Sequence, residues 1–290
     1  MRRITVAAAQ TGPVFDEDPA LRLPGALELI GQAASRSVDV LCFSEVFLTP
    51  FFPNRLVESF DHFFVEASDP IIDQVAEAAA ANDIAVILPI AEKNPAGYFN
   101  SAFVIDRQGA RVGVYRKTHI PAYFPTEKLG GTGSFEKFYF APGPSLPLFE
   151  LGGARFGIQI CNDRLYPEPS RVLSLGGAEI LFMPICYSTY DSSNYRAGLW
   201  EIPLRARAFE NSVFVVAANR VGQEGPRHHL GRSMIVNPRG EIMCEAGTEN
   251  EELLVATLDI DEVAAARKKF PWWRDRRPDL YGALTAAPAG

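Results

Sequence analysis

Apolar residues fall along this chain in short runs that follow two rhythms. Ile4–Gln10, Val40–Ser44, Ala85–Ala91 and Ser101–Asp106 are brief, rich in β-branched residues and almost free of alternation. That is the pattern of strands covered on both faces. Between them, Ala20–Ser35 places Leu21, Leu27, Leu29, Ile30 and Ala33 at helical spacing, and Ile71–Ala81 is an alanine-rich helix with Asp69 as its expected N-cap.

Further along, hairpins take over. FVIDRQGARVGVYRK, LPLFELGGARFGIQIC and SMIVNPRGEIMCEA each set a glycine-containing turn between two apolar runs. A long helix is expected over roughly Ser193–Asn211, followed by a strand over Val213–Ala218. Alternating strands and helices combined with hairpins predict the α/β class, with mixed sheets and helices outside them.

Composition narrows this picture. The chain has 290 residues, 47% of them hydrophobic and 22% charged, enough for a large core without disulfide staples. No linker-like stretch divides it, so residues 1–290 are expected to form one domain. The net charge of −7 argues against nucleic acid and acidic membranes as partners. The one basic concentration, ARKKFPWWRDRR, is interrupted by Asp275 and proline; the segment 262–290 is expected to be an extension lying across a partner subunit, or across its own. Cys42, Cys161, Cys186 and Cys244 show no metal-ligand spacing, and buried reduced thiols suit a cytoplasmic protein. The first residues lack the length and apolarity of a signal peptide, and no apolar run reaches membrane-spanning length.

Three side chains each close an apolar strand, where sites form in α/β proteins. Cys161 ends FGIQIC and is followed by polar Asn162-Asp163-Arg164 and a helix expected from Pro167, whose dipole would favour a thiolate. As packing it would be a small buried hydrophobe, the reading that suits the other three cysteines. Glu45, in VLCFSEVFLTPFF, is followed by Val46, Phe47 and Leu48, a setting that suits a carboxylate for proton transfer. Lys117 ends VGVYRK and, held in a cleft, is a fixed cation able to stabilise an oxyanion. An exposed Glu and a surface Lys are the plain alternatives.

The spacings Glu45–Lys117–Cys161 and the blocks AAAQTGP, LCFSEVF, NSAFVIDRQGARVGVYRKTHIP, FEKFYFAPG, GIQICNDRLYPE and GRSMIVNPRGEI resemble the nitrilase (carbon–nitrogen hydrolase) superfamily over nearly the whole chain. The resemblance implies a four-layer α-β-β-α sandwich of two mixed sheets with helices outside. It also implies a Glu45-Lys117-Cys161 triad, no cofactor or metal, and a homodimer or larger homo-oligomer. A second glutamate of the superfamily corresponds to Glu136 in FEKFYFAPG, with Glu127 as the other possibility. The backbone N–H of Asn162 would complete an oxyanion site with Lys117. His119, His228 and His229 read as solvated or substrate-proximal, His119 being the candidate for substrate contact.

Nitrilases proper carry Cys-Trp-Glu; this chain has Cys161-Asn162-Asp163. CNDR followed by an aromatic residue, Pro and Glu is similar to the N-carbamoyl-amino-acid amidohydrolases, in which the corresponding Arg164 would hold a substrate carboxylate. Its plain alternative is a helix-start arginine paired with Asp163 or Glu168. Leu165 and Ser134-Phe135 depart from the D-specific pattern, and FEKFYFAPG also resembles the β-ureidopropionase and N-carbamoylputrescine branches. The expected reaction is hydrolysis of an N-carbamoyl amino acid. An amidase using the same triad, and a catalytically silent binding member, are the alternatives. Phe51, Phe52 and Phe64, with Arg196, Arg205 and Arg207, are further candidates for a pocket wall.

Overall fold

The computed structural model describes residues 1–121, 134–189 and 198–286. Two six-strand paths lie face to face and share one layout. The first runs Glu252–Asp259, Arg3–Gln10, Val40–Cys42, Ala85–Asn94, Gly97–Ile105, Arg111–Arg116, with Val65–Glu66 added beside Ala85–Asn94. The second runs Leu148–Leu151, Ala154–Ile158, Ile180–Pro184, Phe214–Ala218, Met234–Val236, Ile242–Glu245. In each path the second, third and fourth strands are parallel, and the others are antiparallel to their neighbours.

Apolar burial sets the layers. Ile4, Val6, Ala8, Ile87 and Val104 of the first sheet meet Phe156, Ile158, Phe182, Phe214 and Val216 of the second in a central core. The alternate residues Ala7, Ala9, Leu41, Val86 and Leu88 face outward onto helices Leu23–Ser35 and Pro70–Ala81. On the opposite side, Leu181, Met183, Val215 and Ala217 meet helices Pro167–Leu175 and Glu201–Asn211 through Leu173, Leu204 and Ala208. Both faces of the central strands are therefore buried, which is why their sequences show so little alternation. The order is the expected α-β-β-α.

Local chemistry supports each element. Asp69 caps Pro70–Ala81 by accepting from the Ile71 N–H at 2.9 Å, with Pro70 in the first turn. In the turn of the first hairpin, Asp106 accepts from Gln108 and Ala110, and Gly109 adopts φ +78°. Asn237 and Gly240 (φ +77°) repeat the device in the third hairpin.

Several expectations shift. The helix expected from Ala20 begins as a 3-10 turn, Pro19–Arg22, before Leu23–Ser35. Ala85–Ala91 continues to Asn94 and pairs with a strand beginning at Gly97. Glu92 allows this extension, because its buried carboxylate accepts two bonds of 2.6 Å from Arg116 and one from Ser101. The helix before Asn211 is described from Glu201, and the start expected at Ser193 lies outside the described residues. The strand Glu252–Asp259 was not anticipated, nor was a small sheet of Ser188–Thr189, Val221–Glu224 and Arg227–Leu230.

Within 262–290, helix Asp261–Lys269 packs on its own chain. Val263 is buried in the central core, and Arg267 donates to Ala178 O and lies over Trp273. Among the described residues no helix is long and apolar enough to cross a membrane.

Candidate active site

Strand ends bring the three singled-out side chains together. Glu45 lies three residues beyond Val40–Cys42, and Lys117 directly follows Arg111–Arg116, its N–H donating to Asn100 O at 2.8 Å. Cys161 lies three residues beyond Ala154–Ile158, on the facing sheet. Lys117 is fully buried; its Nζ donates to Glu45 Oε1 at 2.9 Å and to Glu136 Oε2 at 2.5 Å. Asn100 Nδ2 also donates to Glu45 Oε1, at 2.8 Å, and Ser134 donates to Glu136. Glu45 Oε2 is buried with no hydrogen-bond partner among the described residues. Glu136 thus stands at Lys117, and Glu127 lies outside the described residues.

Burial alone would depress Lys117, but the charges of Glu136 and Glu45 more than reverse this and hold it protonated. Burial raises Glu136, against the pull of Lys117. For Cys161 the expectation of a favoured thiolate is corrected: burial, then the Glu45 charge, push the thiol up to about 11, against the opposing pull of Arg164 and Lys117. Helix Pro167–Leu175 starts too far along the chain to help, because a one-turn 3-10 segment, Cys161–Leu165, intervenes. At about 11 the Cys161 sulfur is held as the thiol near neutral pH. The residue sits in the left-handed region, with φ +46°.

Asp163 holds this turn. Its fully buried carboxylate accepts from the backbone N–H of Ile160 (2.8 Å) and of His119 (2.9 Å), from Tyr115 Oη (2.6 Å) and from Thr118 Oγ1 (3.1 Å). The turn carrying Cys161 is thereby fastened to the residues just after Lys117. Arg207 supports it from outside, donating to Arg164 O and Leu165 O.

A cleft of about 70 Å³ opens at Cys161, lined in part by Phe51, Asn162, Arg164, Tyr187, Ser188 and Arg227. Arg164 is only 2% exposed and forms no ion pair with Asp163 or Glu168. Its Nη1 donates to Cys161 O at 2.6 Å and lies 3.6 Å from Cys161 Sγ, while the guanidinium covers Tyr187 and Trp200 at 5.0 and 5.5 Å. Asn162 lines the cleft, and its side-chain amide donates to His119 O.

Other candidates move away from the site. The His119 ring contacts Asp163 at 2.9 Å and stacks on Tyr166, so it braces the turn and does not line the cleft. His229 is fully buried and not solvated: desolvation lowers it to about 3, and it stands 3.6 Å from both Cys186 Sγ and Glu224. Phe51 lines the cleft, whereas Phe52 and Phe64 belong to an aromatic core with Phe63 and Phe140. Arg205 bonds Gly240 O, and Arg196 lies outside the described residues. Sequence reasoning missed Asn100, legible as a lone amide in an apolar strand, and the buried pair Arg220–Glu224, for which no local signal exists. Among the described residues no group of three His, Cys, Asp or Glu could hold a metal ion.

A buried carboxylate, ammonium and thiol thus meet at facing strand ends beside a cleft, the residue types that cysteine-dependent hydrolysis calls for. The carbon–nitrogen hydrolase family profile matches residues 5–268, and the chain belongs to that family. It is similar to the N-carbamoylputrescine amidase of Arabidopsis thaliana, with 32% identity over 98% of this chain and 96% of that one. It is likewise similar to the citrullinase of Francisella tularensis, with 30% identity over 98% and 99%. Among solved structures, a carbon–nitrogen hydrolase from Helicobacter pylori G27 superposes with a TM-score of 0.88 and 26% identity, covering 99% of each chain. The protein is a hydrolase of carbon–nitrogen bonds other than peptide bonds.

Proposed function

We propose that the chain, a single domain over residues 1–290, hydrolyses an N-carbamoyl amino acid to the free amino acid, carbon dioxide and ammonia. Glu45 takes the proton of the Cys161 thiol, and the sulfur attacks the carbamoyl carbon. Lys117 and the backbone N–H of Asn162 stabilise the oxyanion, and Glu136 keeps Lys117 charged and in place. Ammonia leaves with the proton held by Glu45, and the intermediate is the thioester of a carbamic acid, an S-carbamoyl Cys161. Water, deprotonated by Glu45, cleaves it and returns the thiol; the carbamic acid released breaks down to carbon dioxide and the amine. A thiol at about 11 within the electrostatic reach of Glu45, whose Oε2 has no hydrogen-bond partner among the described residues, suits a base-activated nucleophile.

Arg164 carries the choice of substrate. It is a buried guanidinium lining the Cys161 cleft, with Nε unpartnered and no acidic partner among the described residues, a setting that fits a substrate carboxylate. Relatives named N-carbamoylputrescine amidase and citrullinase support the carbamoyl group, and Arg164 argues against a cationic amine at the other end. In a panel of N-carbamoyl amino acids, N-carbamoyl amines and primary amides, the first set should be turned over fastest. Arg164→Leu should raise KM for that set alone, by about tenfold or more. Faster turnover of the amides, or an Arg164→Leu effect shared by every substrate, would transfer the protein to the amidase reading.

A homo-oligomer belongs to the same reading. Val172, Leu175, Trp272, Tyr281 and Leu284 are 36–64% exposed and line one groove between helix Pro167–Leu175 and the C-terminal extension, edged by Glu168, Arg171 and Arg276, a surface suited to a second copy. Light scattering giving a monomer mass at micromolar concentration would refute it.

A further inference from the structure

Glu45 is followed by a turn that is difficult to hold. Val46 adopts φ +49°, a left-handed conformation that a β-branched residue rarely enters. The turn leaves the carbonyls of Glu45, Val46 and Thr49 directed into the interior, where buried acceptors need donors. All three converge on one nitrogen: Arg220 Nη2 donates to Glu45 O at 3.2 Å, Val46 O at 2.5 Å and Thr49 O at 2.7 Å. Arg220 is fully buried, and its Nη1 meets Glu224 Oε2 at 2.8 Å. Glu224 in turn accepts from the backbone N–H of Phe51, at the far end of the same segment, and of Val14. One ion pair therefore brackets residues 45–51.

The position of Arg220 in the fold matters as much as its bonds. It lies just past the strand Phe214–Ala218 of the second sheet, the sheet that also carries Cys161. It bridges to Thr11, at the end of the first sheet's Arg3–Gln10, and Val221 N–H donates to Thr11 O at 2.9 Å. Glu45 belongs to the first sheet and Cys161 to the second, so their separation depends on how the two sheets are joined at this end.

We propose that Arg220, anchored by Glu224, is a positioning residue for the reaction: by collecting the three carbonyls it locks the turn after Glu45 and fixes that carboxylate at the distance and angle from Cys161 that proton transfer needs. It touches neither substrate nor the reacting atoms. The inference rests on the reading of Glu45 as the base, and its consequence is specific. Loosening the turn slows chemistry while leaving the Arg164 end of the cleft able to bind substrate.

The test compares Arg220→Met/Glu224→Gln, which removes both buried charges together, with Arg220→Lys, which keeps a cation opposite Glu224 but lacks the planar fork that reaches several carbonyls. Each is measured for kcat, KM and melting temperature on the N-carbamoyl amino acid that the wild type turns over fastest, with Glu45→Gln alongside. The double variant should lose kcat on the order of 100-fold with KM within about threefold, and Arg220→Lys should recover part of the loss. Full kcat in either folded variant would overturn the inference. So would a loss of kcat no larger than the unfolded fraction accounts for, since unfolding removes active sites without changing KM. If the double variant fails to fold, Arg220→Lys decides alone: a kcat-only loss supports positioning and wild-type kcat refutes it. Should Glu45→Gln retain turnover, the failure lies with Glu45 as base and not with Arg220.

Discussion

The two sides of the Cys161 cleft are secured by buried charges of opposite sign. On the Glu45 side a cation, Arg220, gathers three backbone carbonyls; on the Cys161 side an anion, Asp163, gathers two backbone N–H groups and two hydroxyls. Both turns contain a non-glycine residue at positive φ, Val46 at +49° and Cys161 at +46°. The sign of each buried charge follows from which backbone groups its turn leaves facing inward. The difference has a cost. Arg220 has an acidic partner in Glu224, whereas Asp163 is satisfied mainly through dipoles, so its side depends on every donor being in place.

That asymmetry can be broken in graded steps. Asp163→Ala orphans the N–H groups of Ile160 and His119, each worth about 1–3 kcal/mol when buried and unpaired. A loss of about 3 kcal/mol or more in denaturant unfolding is expected, with turnover lost as well because Cys161 and Lys117 both shift. A loss below 1 kcal/mol would show that the turn holds itself.

Acid should act first on the other side. His229, facing Glu224, Arg220, Arg227, His228 and Cys186, is lowered from 6.5 to about 3, so the unfolded chain binds its proton more readily. The stability it contributes is complete above about pH 6.5 and is lost as pH falls toward 3. His229→Gln should therefore flatten the acid limb of the melting-temperature profile relative to wild type; superimposable limbs would contradict this. The smallest effect belongs to Tyr115→Phe, which removes one of the Asp163 donors. About 1–2 kcal/mol is expected by denaturant titration, with kcat changed less than in Asp163→Ala.

The strands and the three hairpins were legible because each is written locally, in apolar runs and glycine turns; Glu45, Lys117 and Cys161 were marked by a polar residue at each strand mouth, and their meeting rested on the resemblance to the carbon–nitrogen hydrolases. The two charges that hold the site were not. Asp163 stood in plain view beside Cys161, but it reads as a partner for Arg164 until the fold brings Tyr115 and His119 to it. Arg220 has mostly backbone carbonyls for partners, and every residue carries one, so nothing elsewhere in the sequence complements it. Glu252–Asp259 was missed for a related reason, since its partner Arg3–Gln10 lies at the other end of the chain.

The central claim is carbamoyl hydrolysis through Cys161. The most direct measurement is the release of ammonia and carbon dioxide from an N-carbamoyl amino acid by the wild type and by Cys161→Ala. Equal amounts of both products from the wild type, with turnover falling by at least about 10³-fold in the variant, is the predicted result. Ammonia without carbon dioxide, or release that survives the loss of the thiol, would contradict it.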